Sequence, residues 1–166
     1  MNILVMYHSR TGKTKALADA VARGVEEVEG MEARLKPAAT VTADDFIAAD
    51  GIIAGSPVYF GTMAAELKMV FEKLIAVRKA MGGKIGAAFT TSAFHTGGKE
   101  TTLMTIIQAM LIYGMIVVGD PLDATGHYGA ACSGSVDPDT EETARKLGKR
   151  VAELAKALHS SPGKRY

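Results

Sequence analysis

Three continuous apolar runs, Asn2–His8, Gly51–Ser56 and Lys84–Thr91, alternate along this chain with segments whose apolar residues recur at helical spacing. A strand with no polar alternation is buried on both faces, which restricts it to a parallel sheet covered by helices on each side. Two shorter strands are expected at Ala33–Pro37 and Met115–Gly119. Helices are expected between them. Lys13–Glu29 carries Leu17, Val21 and Val25, and a short turn follows at Ala43–Ala49. Ala64–Lys79 carries Leu67, Val70, Phe71, Leu74 and Val77, and Lys99–Tyr113 carries Leu103, Ile106 and Met110. A last helix, Pro138–His159, starts on Asp137-Pro138, a capping residue followed by proline at the first helical position. Five strands alternating with helices make a three-layer α/β sandwich. Right-handed crossovers then leave few topologies, and the doubly wound order 2-1-3-4-5 suits five strands. Ligands of such sheets lie beyond the carboxyl ends of the strands, at the switch between strands 1 and 3. The pattern fills one domain over residues 1–160, and residues 161–166 are expected to fray.

The segment Ser9-Arg10-Thr11-Gly12-Lys13-Thr14 falls at that switch, directly between the first strand and the first helix. Three hydroxyls, one glycine and a helix N-terminus with its unpaired N–H groups suit a phosphate monoester. A nucleotide-binding P-loop would need a glycine five positions before Gly12, where Tyr7 stands. A plain strand-to-helix turn capped by Ser9 or Thr11 is the competing reading of the hexapeptide.

Two more loops follow strands at the same edge. Pro57-Val58-Tyr59-Phe60-Gly61 presents adjacent aromatics between proline and glycine in a chain that is only 6% aromatic, so they are candidates to wall a flat ring. Ser92-Ala93-Phe94-His95-Thr96-Gly97 offers hydroxyls and backbone N–H groups for the polar edge of such a ring. A longer loop over Asp120–Asp137 contains His127 and Tyr128 between glycines, and loops of this length are usually functional or disordered. An imidazole with an ordinary pKa of about 6.5 can bind an anionic or quinoid oxygen. His127 and Tyr128 are therefore the candidate catalytic residues.

Charge and composition narrow the partners. With 19 basic and 18 acidic residues the net charge is +1, which argues against nucleic acid. One cysteine, Cys132, excludes an internal disulfide and a thiolate metal cluster. The four histidines are scattered, and no metal site is expected. No apolar run approaches the ~18 residues of a membrane span, and no leader precedes the first strand, so a cytoplasmic protein is expected.

The phosphate loop resembles the [ST]-x-T-G-x-T loop of flavodoxins. Gly55-Ser56-Pro57-Val58-Tyr59-Phe60-Gly61-Thr62-Met63 is similar to the G-[ST]-P-x-x-F-G-N-M loop of the WrbA-type NAD(P)H:quinone oxidoreductases of that superfamily. Thr96-Gly97-Gly98-Lys99-Glu100, Tyr113-Gly114-Met115 and Tyr128-Gly129-Ala130 resemble their later motifs. The resemblance implies a flavodoxin-like fold binding FMN, with NAD(P)H as electron donor and a quinone or a redox partner protein as acceptor. By it, Ser9–Thr14 hold the FMN phosphate, Val58, Tyr59 and Phe60 line the isoalloxazine, and Ser92–Gly97 meet its pyrimidine edge. Tyr113 falls where those enzymes have a histidine near the flavin. WrbA-type proteins form tetramers, so a homo-oligomer is an open expectation. Two departures point the other way: the chain lacks their insertion around the third helix, and Thr11 replaces their tyrosine. An electron-transfer flavodoxin is the alternative reading, and an FMN-binding module without redox function is a third.

Overall fold

The computed structural model describes residues 1–160; the expected frayed tail lies outside them. Its central parallel sheet runs in the order β2 (Glu32–Pro37), β1 (Asn2–Tyr7), β3 (Gly51–Tyr59), β5 (Ile85–Ser92), followed by a fifth position. That is the expected order. The fifth position is divided between two strands, β6 (Ile116–Val117) and β7 (Ala130–Ser133), each paired in parallel with β5. The expected strand Met115–Gly119 supplies only the first part. The second part lies inside the segment Asp120–Asp137, expected to be one long loop. A short antiparallel strand, β4 (Thr62–Met63), folds back on the end of β3.

Side chains alternate across the sheet and build two cores. Ile3, Val5, Ile53 and Phe89 face α1 (Lys13–Glu26) and α5 (Pro138–Ser160), where Leu17, Val21, Leu147 and Val151 meet them. Leu4, Met6, Ile52 and Ala88 face α2 (Ala43–Ala48), α3 (Ala65–Lys73) and α4 (Lys99–Ile112), where Phe46, Leu67, Phe71, Leu103 and Ile106 fill the layer. Thr42 closes the start of α2 with a capping box, its side chain accepting from Asp45 N while Asp45 accepts from Thr42 N. Lys84 holds the other end of α2, donating to the carbonyls of Phe46 and Ile47. Burial pushes the Lys84 ammonium down from its ordinary pKa.

The expected helix Ala64–Lys79 is shorter than its periodicity suggests. It stops at Lys73 and continues as a 3₁₀ segment, Ile75–Met81. The tighter turn ends with Met81 fully buried under the second core.

On the other face α1 and α5 cross at backbone contact. A Cβ on Gly24 would stand 1.8 Å from Arg145 O, and one on Gly148 would stand 2.0 Å from Val21 O. Charges clip the outside of the same crossing. Arg145 pairs with Glu27 and Glu142, and Arg23 pairs with Glu141. These hydrogen bonds, with Glu142 first, hold the Arg145 guanidinium above its ordinary pKa, and Arg145 holds the Glu142 carboxyl below its own.

Candidate flavin site at the carboxyl edge of the sheet

The loops leaving β1, β3 and β5 converge at one edge. The helix α1 opens at Gly12, whose left-handed conformation (φ 86°) turns the chain out of β1 with nothing within 4 Å of its virtual Cβ. Ser9 Oγ accepts hydrogen bonds from Gly12 N at 3.1 Å and Lys15 N at 3.4 Å. Both bonds use its oxygen as acceptor, so its proton remains available to a ligand. By the geometry of any helix start, the N–H groups of Lys13 and Thr14 then point out of the helix end. Arg10, Thr11 and Lys13 are exposed around this opening.

Thr14 behaves differently from the other two hydroxyls. It is 2% exposed, and its Oγ1 shares a 2.8 Å hydrogen bond with Thr91 Oγ1 on β5. The last hydroxyl of the hexapeptide therefore ties α1 to the sheet, and the backbone N–H of Thr14 is what faces the opening.

The second loop is a hairpin. Val58 pairs with Met63 and Tyr59 with Thr62, which leaves Phe60-Gly61 as a two-residue turn. Both turn residues have positive φ, 52° and 77°, the geometry that matches the twist of two antiparallel strands. Phe60 occupies this left-handed position with its ring entirely in solvent. Tyr59 is half-buried and meets His8 edge-on, with ring centroids 6.1 Å apart. Ser56 fixes the base of the hairpin by accepting from Ala64 N at 2.8 Å and donating to Pro57 O at 2.7 Å. A β-unbranched aromatic in the left-handed region costs about 1–2 kcal/mol. Phe60→Gly is expected to raise the unfolding free energy by about 0.5–1 kcal/mol, because glycine's own entropy cost offsets part of the relief. Urea unfolding checks the gain, and weaker flavin binding in the same variant is the expected functional cost.

The third loop is held by Ser92, which donates to Phe94 O, and by Gly97 N, which donates to the same carbonyl at 3.1 Å. This closes a tight turn that leaves Ala93, Phe94, His95 and Thr96 exposed. It touches the hairpin directly, since a Cβ on Gly98 would stand 3.0 Å from Gly61 Cα. At its exit Lys99 Nζ donates to Ser133 Oγ on β7 at 2.9 Å, a link the sequence does not advertise.

His127 and Tyr128 lie elsewhere along the sheet. They immediately precede β7, whose Ala130 pairs with Phe89, three residue pairs back from Ser133 opposite Ser92 at the carboxyl edge. Both are exposed, and His127 has φ 69°. The loop carrying them is closed by Asp120, which is 5% exposed and accepts from Gly126 N at 2.8 Å and Gly129 N at 3.1 Å. Arg150 donates to Asp120 O, and Thr125 bonds Thr143, so the loop is fastened to α5.

Tyr113, at the position of the family histidine, is buried at the far end of α4. Its hydroxyl donates to Phe71 O, and its ring meets Phe46 and Phe71 edge-on. Burial raises its pKa. It is a core residue at the edge of the sheet opposite the three loops. Cys132 is likewise structural: it is buried, donates to Ser135 O, and burial pushes its thiol pKa up, which disfavours the reactive thiolate.

The sequence profile of the NADPH-dependent FMN reductase family matches residues 32–129. This chain belongs to that family. Among relatives of this FMN reductase family member, a flavodoxin of Aquifex aeolicus is 37% identical over 91% of this chain and 85% of its own length. An NAD(P)H dehydrogenase (quinone) of Archaeoglobus fulgidus is 35% identical over 94% of this chain and 98% of its own. Among solved structures, the flavodoxin WrbA-like protein of Agrobacterium tumefaciens superposes with a TM-score of 0.81 at 29% identity, covering 94% of this chain and 98% of that one. The flavodoxin-like architecture of this FMN reductase family member is therefore shared along nearly its whole length. Among the described residues, no helix is long and apolar enough to cross a membrane.

Proposed function

We propose that this chain is an FMN-dependent oxidoreductase that draws electrons from NAD(P)H and passes them to a quinone-type acceptor. The observation that carries the reading is the β1–α1 loop. Its backbone is pre-folded by Ser9 Oγ around an open helix N-terminus, with a left-handed glycine leaving room for an anion. Those residues fit a flavin phosphate. When bound, FMN supplies the redox chemistry, accepting two electrons and a proton from a nicotinamide and giving them up to an acceptor.

The chain's own residues do the binding and orienting. Ser9 and Thr11 donate to the phosphate, assisted by the N–H groups of Lys13 and Thr14 and by the positive end of α1. Tyr59 and Phe60 supply an aromatic wall, and the exposed Phe94 an apolar rim that excludes water. The backbone of Ser92–Gly97 meets the polar edge of the ring. In this reading His127 and Tyr128 act on the acceptor side. A cytoplasmic setting, where NAD(P)H is supplied, belongs to the same reading.

The test is an anaerobic titration of FMN-loaded protein with NADPH and then NADH. The expected result is direct loss of flavin absorbance, restored by adding benzoquinone. The relative named flavodoxin makes an electron carrier the second reading. Flavin that dithionite bleaches and neither nicotinamide touches would replace the reductase with that carrier.

A further inference from the structure

His8 stands between β1 and Ser9, and its backbone N–H donates to Gly55 O at 3.0 Å, which fixes it against β3. Side chains alternate along β1, so His8 falls on the face of Leu4 and Met6 rather than that of Ile3, Val5 and Tyr7. That is the face covered by α3. The His8 side chain is only 16% exposed, and its Nε2 is buried without a hydrogen-bond partner. An unpaired buried polar atom is costly, so it calls for an explanation.

Two features adjoin the ring. Glu66, in the first turn of α3, places Oε1 3.7 Å from Nε2. That exceeds the roughly 2.7–3.2 Å of a hydrogen bond, so the neutral ring gains no bond from it. An opposite charge within about 4–6 Å does favour the protonated ring. The ring also borders the opening lined by Ser9 and Gly12, the two residues that shape the phosphate loop. The imidazole thus adjoins a carboxylate and the phosphate opening at once.

The other charges near the ring are less suited to a phosphate. On α1, the Lys15 ammonium is held by Asp19 at 2.9 Å. Tyr59 is the titratable group that β3 presents, with its ring edge-on to His8. The turn after β2 brings only Pro37, Ala38 and Ala39. Arg10 and Lys13, on the loop and at the start of α1, are exposed, and solvated charges are strongly screened. A mostly buried imidazolium is screened much less.

We propose that His8, backed by Glu66, is a phosphate-binding residue of the flavin site that takes up a proton as the phosphate binds. The proton comes from solvent and converts the neutral ring to an imidazolium. The cation then serves the phosphate dianion and gives Nε2 a charged partner in Glu66. The proposal rests on the flavin site as read above, and it makes flavin affinity depend on pH. Histidine is the side chain that ordinarily changes charge between pH 5 and 8. The protonated ring is the form that holds phosphate, so FMN affinity falls as pH rises. Riboflavin, which has no phosphate, escapes the effect.

The experiment titrates flavin-stripped wild type, His8→Gln and Glu66→Gln with FMN and with riboflavin. Fluorescence gives the affinities at pH 6.5 and 8.5, and calorimetry at pH 7.5 in two buffers of different ionisation enthalpy counts protons. A phosphate monoester has a second pKa of about 6, so at pH 7.5 it is already a dianion and a proton taken up belongs to the protein. FMN binding to the wild type is expected to take up a proton and to weaken at pH 8.5, whereas riboflavin binding does neither. His8→Gln is expected to abolish the uptake and to weaken FMN at pH 6.5 by at least about tenfold, with riboflavin affinity unchanged. Glu66→Gln, at a half-exposed side chain, is expected to reduce the uptake. Uptake that either substitution leaves unchanged overturns the proposal. So does its absence from a wild type that binds FMN, or an equal loss of riboflavin affinity in His8→Gln. A stripped wild type that binds FMN no more tightly than riboflavin would instead overturn the phosphate reading, and this proposal with it.

Discussion

Replacing Ser9 and Thr11 together by alanine will weaken FMN binding on the order of a hundredfold to ten-thousandfold. In the proposed site each hydroxyl donates a hydrogen bond to a charged phosphate; such bonds are worth about 1.5–3 kcal/mol, and every ~1.4 kcal/mol is a factor of ten. The two bonds share one phosphate, so the lower part of that range is expected if the remaining donors compensate. Ser9→Ala alone also removes the acceptor that holds Gly12 N and Lys15 N, and so loosens the helix start as well. Thr14→Ala is the informative contrast. Its hydroxyl is already bonded to Thr91, so it will cost folding stability of about 1–3 kcal/mol and little flavin affinity. Fluorescence titration of stripped protein with FMN separates the two effects from a parallel urea melt. Unchanged affinity in the Ser9/Thr11 double variant would remove the phosphate site.

The second large effect is predicted far from any ligand. Gly24→Ala and Gly148→Ala, combined, will lower the unfolding free energy by about 2–5 kcal/mol, a substantial part of the ~5–15 kcal/mol typical of a domain. Each new methyl would stand 1.8–2.0 Å from a carbonyl oxygen of the facing helix, and a helix backbone cannot retreat as a side chain can. Helix propensity works in the opposite direction, favouring alanine by about 1 kcal/mol at each site, and is outweighed. Separation of the helices would also draw Arg145 away from Glu27 and Arg23 from Glu141. Denaturant unfolding measures the loss, and a double variant as stable as the parent would show that α1 and α5 can repack.

How much of this was legible depended on whether the signal was local. β1, β3 and β5 are buried on both faces, so their apolar runs mark them without reference to any neighbour. The phosphate loop was legible for the same reason, since strand, hydroxyl turn and helix are contiguous. Ala130–Ser133 is made of small residues, and Ile116–Val117 is only two long; each is a strand solely because β5 offers it hydrogen bonds. The inward turn of Thr14 depends on where α1 lies against Thr91, 77 positions away, which no local pattern encodes. Turn chemistry favours asparagine or glycine where Phe60 stands, so the hairpin was hidden by the very residue that makes it unusual. The buried carboxylate of Asp120 and the place of Tyr113 in the core also follow from packing alone.

The divided fifth strand separates two tasks that one continuous strand would combine. β6 and β7 are each secured to β5 by their own hydrogen bonds, so the chain between them can change without unseating the sheet. Doubling the length of such an excursion costs only about 0.6 kcal/mol of closure entropy. Three glycines set limits on this freedom: a Cβ on Gly119, Gly126 or Gly129 would stand 2.0 Å from His127 O, 2.2 Å from Gly129 O and 2.0 Å from Ala88 O respectively. The edge of the sheet is thereby a natural insertion point, at which a recognition segment can be exchanged while the scaffold keeps its register.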